Sequence, residues 1–188
     1  MNVEQLAAIV IDACEAEGIG HMLTGAFASS YYGITRSTSD VDLVIDLERP
    51  QALPALVERL SGSVTFDPQI QFDTLTWGRR HVGTTRTAPP LQVELFELFD
   101  DVFVREQFAR RQHILSPSVG RAIWLPTPED LIIQKLRWGR PKDLDDARDV
   151  FLVQGGKSLD QGHIEHWCAL HGTAAAFQSI LDASRGIG

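Results

Sequence analysis

The sequence predicts an α+β fold, a small mixed β-sheet with helices on one face, followed by a C-terminal helical bundle. Three observations predict it. Short apolar runs alternate with segments of helical periodicity up to about Leu125. Pro126-Thr127-Pro128 is a hard break. Beyond it, apolar residues recur only at helical spacing. This places an α/β core at residues 1–125 and a helical region at 126–188. With 188 residues, 44% hydrophobic and 22% charged, the chain can bury a core without disulfides. Cys14 and Cys168 lie far apart, form no C-x-x-C pair and suggest neither a zinc site nor a disulfide framework.

Each element has its own signal. Leu6, Ile9, Val10 and Ala13 give Val3 to Glu17 a helical stripe closed by Gly18. A short strand follows at His21–Thr24, then an Ala- and Ser-rich helix at Gly25–Tyr32, stopped by Gly33. Arg36–Ser39 reads as a loop and Val41–Leu47 as a buried-type strand. Pro50 suits the start of a helix whose apolar face is Leu53, Leu56, Val57 and Leu60. Ser63–Pro90, with its Thr-rich run TLTWGRRHVGTTRT, suggests strands with an open loop. Leu91–Leu98 reads as a strand containing Glu94, Asp101–Arg111 as a charged helix, and His113–Leu125 as strand, turn, strand. Thr127 can cap a helix with Pro128 at its first position and Glu129-Asp130 complementing the dipole. A second helix follows Arg140-Pro141, with Leu144, Ala147, Val150 and Phe151 apolar, ending at Gly155-Gly156. Leu159–Ile187 reads as two more helices divided at Gly172.

The formal net charge of −8 disfavours non-specific adhesion to nucleic acid or anionic membrane. Two basic patches stand out: Arg79-Arg80 with His81 and Arg86, and Arg105 with Arg110-Arg111. Solvated faces account for either. The N-terminus is amphipathic and lacks a basic leader, and no apolar run approaches the roughly 20 residues of a membrane span, so no membrane partner is expected. With this cysteine usage, a reducing, cytoplasmic setting is expected.

Asp40-Val41-Asp42 carries the chemistry. In a strand, residues i and i+2 share a face, so Asp40 and Asp42 point together and Val41 and Leu43 point away. Two close carboxylates repel unless a cation lies between them. Hard oxygen ligands favour Mg²⁺ or Mn²⁺ over zinc. A D-x-D pair by itself is usually solvent-facing, but three neighbours alter that reading. Gly25-Ala26 opens a helix after a strand, where backbone N–H groups can meet a phosphate. Thr38 and Ser39 place hydroxyls beside the acids. Glu94, alone in an apolar strand, needs a counter-charge, and an adjacent strand could bring it beside Asp42.

The segments LTGA, DVDL and VELF resemble the nucleotidyltransferase superfamily with the polymerase-β-like minimal fold. PTPEDLIIQKLRWGRPKDLDD resembles the downstream motif of abortive-infection, AbiE-type toxin nucleotidyltransferases and their bacterial relatives. The resemblance implies an enzyme that transfers a nucleoside monophosphate from a nucleoside triphosphate, ATP among them, to an acceptor hydroxyl on RNA, protein or a small molecule. It implies Mg²⁺ or Mn²⁺ on Asp40, Asp42 and Glu94, with Glu94 a metal ligand or a base. It implies nucleotide contacts from Gly25, Ala26, Thr38, Ser39, Lys135 and Lys142, with Lys135 neutralising the leaving pyrophosphate. Asp143 and Asp146 would order Lys135 and Lys142 or assist acceptor activation. The toxin likeness adds a possible antitoxin partner. Ala26 stands where the family often has Gly or Ser, Glu94 replaces the usual Asp, and the gap from Lys135 to Arg140 is short for the toxins. An impaired nucleotide-binding sensor or partner subunit and an aminoglycoside-type antibiotic nucleotidyltransferase are the alternatives. Tyr31, Tyr32 and Trp138 are expected in the core or at its rim, and the six histidines show no metal-ligand spacing.

Overall fold

A computed structural model describes residues 1–49, 51–74 and 78–185. It divides into two compact units, Met1–Phe27 with Ser37–Pro126, and Ala28–Arg36 with Thr127–Gly188. The second unit thus takes in a segment that a linear boundary after residue 125 leaves with the core.

The first unit is built on a mixed sheet. Its strands are β1 (Gly20–Leu23), β2 (Asp40–Asp46), β3 (Val64–Phe66), β4 (Gln71–Asp73), β5 (Gly78–Thr85) and β6 (Gln92–Glu97). The order is β1-β2-β6-β5-β3, with β4 also paired to β5. Only β2 and β6 run parallel among these pairs; the rest are antiparallel. Strand β2 alternates between half-buried Asp40, Asp42, Val44 and Asp46 and fully buried Val41, Leu43 and Ile45. Burying each large aliphatic side chain contributes roughly 1.5–3 kcal/mol, so this alternation fixes which face receives the acids. Helix α1 (Val3–Ala16) packs on β1, β2 and α3 (Ala52–Leu60). It starts at a reciprocal capping box between Asn2 and Gln5, which satisfies two backbone donors. Helix α2 (Gly25–Tyr32) follows β1 directly. Helix α4 (Val102–Arg110) is capped by Asp101, and the hairpin β7 (Gln112–Ser116) and β8 (Arg121–Leu125) completes the unit, with β8 against β1.

The second unit is helical. Thr127 caps α5 (Pro128–Trp138) by accepting from the Asp130 N–H at 3.1 Å, and Gly139 ends it in the left-handed region at φ 68°. Helix α6 (Pro141–Val153), one 3₁₀ turn (Gly156–Ser158), α7 (Gln161–His171) and α8 (Ala174–Arg185) follow, with Gly172 dividing the last two. No helix among the described residues is long and apolar enough to cross a membrane. Cys14 and Cys168 are both free and buried, and burial pushes the Cys14 thiol up to about 12.

Helix α3 starts at Ala52, with Pro54 in its first turn, where no intrahelical donor is needed. Pro50, Leu75 to Trp77 of the Thr-rich run, and Ile187 lie outside the described residues. Leu144, expected on the apolar face of α6, is exposed, whereas Asp143 and Asp146 are buried beside Ala147, Val150 and Phe151. Ala147, Val150 and Phe151 are buried as expected, and in the first turn the acids take the place of Leu144 because they have cationic partners there.

Candidate active site

The sheet register assembles the first group. Asp42 lies opposite Glu94, and Asp40 opposite Gln92, across the parallel β2–β6 pair. Neighbouring strands run about 4.8 Å apart, so Asp42 and Glu94 project side by side from one face. The Ser39 hydroxyl donates to the Asp40 carboxylate at 2.9 Å, and the Asp40 N–H donates to the Thr38 hydroxyl at 3.2 Å. Both hydroxyls therefore set the orientation of Asp40.

Gly25 explains the glycine of the LTGA segment. Its φ is +60°, and a Cβ there would fall 1.8 Å from Asp42 Oδ2. No side chain fits, and the backbone geometry disfavours one in any case. The Asp42 carboxylate consequently rests against the first turn of α2, whose dipole favours negative charge. The helix start expected to meet a phosphate thus meets an aspartate too. Ala26 follows as a half-buried residue of the same turn.

Glu94 has its counter-charge in Arg80. Arg80 Nη1 donates to Glu94 Oε2 at 3.2 Å, and its Nη2 to Gln71 Oε1 at 2.6 Å. Among the described residues, no group of three or more His, Cys, Asp or Glu side chains is gathered so as to hold a metal ion. The donor set nevertheless suits a hard divalent cation: three carboxylates on adjacent strands, with a glycine cradle that fixes one of them.

The second group lies within the helical unit. Lys135 is 2% exposed and Asp143 fully buried. Lys135 Nζ reaches Asp146 Oδ2 at 2.7 Å and Asp143 Oδ1 at 3.3 Å. Arg140 forks onto Asp143 at 2.5 and 3.2 Å, and Arg36 onto Asp146 at 3.2 and 3.0 Å. Burial pushes the Asp146 carboxyl up, but the hydrogen bonds from Lys135 and Arg36 outweigh it and hold the group below its ordinary range. Lys135 is therefore no solvated surface lysine. Asp143 and Asp146 order Lys135, whereas Lys142 is exposed.

Several participants escaped the sequence reading. Arg36 stood there as loop and Arg80 as part of a basic patch; the signal for Arg80 was the unmatched charge of Glu94. The patches themselves are largely consumed in pairs: Arg79 and His81 with Glu97, Arg105 with Asp100, and Arg111 stacked on Phe108 and Trp124. His163, assigned nothing, bonds buried Asp130 at 2.7 Å. Tyr32 is buried, Tyr31 exposed, and Trp138 half-buried near the Lys135 and Arg140 cations.

Comparison with solved structures places the fold. The antibiotic-resistance factor ANT(2'')-Ia in solution is 15% identical, with a TM-score of 0.58 over 99% of this chain and 97% of that one. The chain has a nucleotidyltransferase fold. An antigenic nucleotidyltransferase-like protein from Paracoccidioides brasiliensis is 19% identical, with a TM-score of 0.56 over 97% of this chain and 94% of its own. ANT(2'')-Ia crystallised with adenylyl-2''-tobramycin is 17% identical, with a TM-score of 0.56 over 90% and 97%. No protein-family model matches the chain, and no curated protein matches it in sequence.

Proposed function

We propose that the chain is a divalent-metal-dependent nucleotidyltransferase. The observation that carries this reading is the register of Asp42 with Glu94, with Asp42 seated against Gly25. In this reading Asp40, Asp42 and Glu94 hold Mg²⁺ or Mn²⁺, which when bound neutralises triphosphate charge. Ser39 and Thr38 orient Asp40. The first turn of α2 is assigned to the phosphates, with the carboxylate of Asp42 beside it. The acceptor oxygen bonds to the α-phosphorus, the bond from that phosphorus to the bridging oxygen of the β-phosphate breaks, and pyrophosphate leaves. The acceptor proton passes to a carboxylate of the acid face. Lys135, Asp143 and Asp146 act as a positioning unit: direct contact between Lys135 and pyrophosphate would require it to give up two buried partners.

For the acceptor, a small polycationic molecule bearing hydroxyls suits best. The chain carries a net charge of −8, which attracts such a molecule and repels RNA. The fold neighbour bound to adenylyl-2''-tobramycin supports the same class. The toxin reading, with an RNA or protein acceptor and an antitoxin partner, rests on the helical sequence motif.

The test is pyrophosphate release with each of the four nucleoside triphosphates, Mg²⁺ or Mn²⁺, and separate aminoglycoside, tRNA and protein acceptors. Turnover with aminoglycosides that disappears in Asp42→Asn is expected. Turnover on tRNA or protein would shift the acceptor to the toxin class. Nucleotide binding without turnover on any acceptor would leave the sensor reading in its place.

A further inference from the structure

We propose that Arg80 competes with a divalent cation for Glu94 and thereby sets the metal affinity of the acid face; this rests on the metal-binding reading above. Three acids on adjacent strands repel one another, and the repulsion is largest with no cation present. The structure supplies a counter-ion from β5, one strand beyond β6. The guanidinium of Arg80 binds Glu94 Oε2 at 3.2 Å and is tethered at its other end to Gln71 at 2.6 Å. The pair is partly covered, with Arg80 28% and Glu94 19% exposed. While it holds, Glu94 is engaged by an arginine of β5, on the side of β6 away from Asp42, and no three-acid group is gathered to hold a metal among the described residues. Buried Arg80 Nε has no hydrogen-bond partner among the described residues, so the guanidinium is incompletely satisfied by them. A cation that recruits Glu94 must displace this arginine, and a cation that ignores Glu94 need not.

Arg80 is thus a positioning residue, and metal binding to the nucleotide-free full-length chain reads it without turnover. Mn²⁺ titrated by calorimetry into Arg80→Gln should bind roughly fivefold more tightly than into the parent, the value of a partly exposed ion pair. Arg80→Lys, which keeps the charge but loses the fork, should fall between the two and serves if the glutamine variant fails to fold. Arg79→Gln on the same strand removes equal charge and should leave affinity unchanged. In the Glu94→Gln background, Arg80→Gln should give no gain, because the competition is gone. A gain that persists in that background, an equal gain from Arg79→Gln, or unchanged or weaker binding in Arg80→Gln overturns the inference. If Asp42→Asn and Glu94→Gln leave Mn²⁺ binding untouched in the parent, the metal-binding reading itself has failed. If they weaken it and Arg80→Gln changes nothing, only the role of Arg80 has failed.

Discussion

The two units use the same side-chain chemistry to opposite ends. On the sheet, Asp40 and Asp42 stay half-buried, and Glu94 is held by one partly exposed arginine. In the helical unit, Asp143 and Asp146 are buried and shared among Lys135, Arg36 and Arg140. A carboxylate kept near solvent can still recruit a cation from solution. A carboxylate saturated by fixed cations is held in place by them. Partner set and burial, more than residue type, distinguish the acids of the two units.

The contrast can be broken most severely at Gly25. Gly25→Ala retains every carboxylate yet drives a methyl into Asp42, so nucleotidyl transfer should fall by at least about a hundredfold, the scale of a misplaced reacting group. Near-normal turnover would show that the Asp42 position is not needed. In the helical unit, Lys135→Met leaves buried carboxylates short of a cation and should destabilise the chain by about 3 kcal/mol, read by urea unfolding. A cost near zero would mean that the two arginines suffice. Asp146 sharpens the comparison through pH. Its folded pKa is depressed below its unfolded value of about 3.9, so its contribution is present above that value and is lost as pH falls through the folded pKa. Asp146→Asn should therefore flatten the acid limb of the stability profile, whereas an unchanged limb would contradict the pairing. Smallest of all, Thr127→Ala removes the cap of α5 and should cost about 1 kcal/mol in the same unfolding measurement.

Much of the sheet was legible because strand alternation is local: the period of two in Asp40 to Asp46 assigns each side chain its face. The pairing of Asp42 with Glu94 was readable only as a requirement of charge, since register between strands so distant in sequence leaves no periodic trace. Arg80 was harder still. Its role depends on the antiparallel β5–β6 register, which places Val82 opposite Glu94 and lets the neighbouring arginine reach across. Helix α6 misled for a different reason. Polarity argued for Leu144 inside, but partners supplied by Arg36, Arg140 and Lys135 made Asp143 and Asp146 the buried choice. Arg36 lies in a loop as read, but its pairing left no local trace because Asp146 is 110 residues away.

The parallel pairing of β2 with β6 carries a consequence for how such chains can diverge. Parallel strands require a crossover connection, and here that crossover contains α3, β3, β4 and β5. Insertions or deletions in its loops alter the surroundings of the acids without shifting their register, whereas a single-residue slip within β6 would turn Glu94 to the opposite face. Asp42 and Glu94 belong to the strands that the crossover joins, but Arg80 travels with the crossover. Grafting a foreign crossover between β2 and β6 would therefore exchange the guanidinium while leaving the paired acids in place, making it a separable module for engineering.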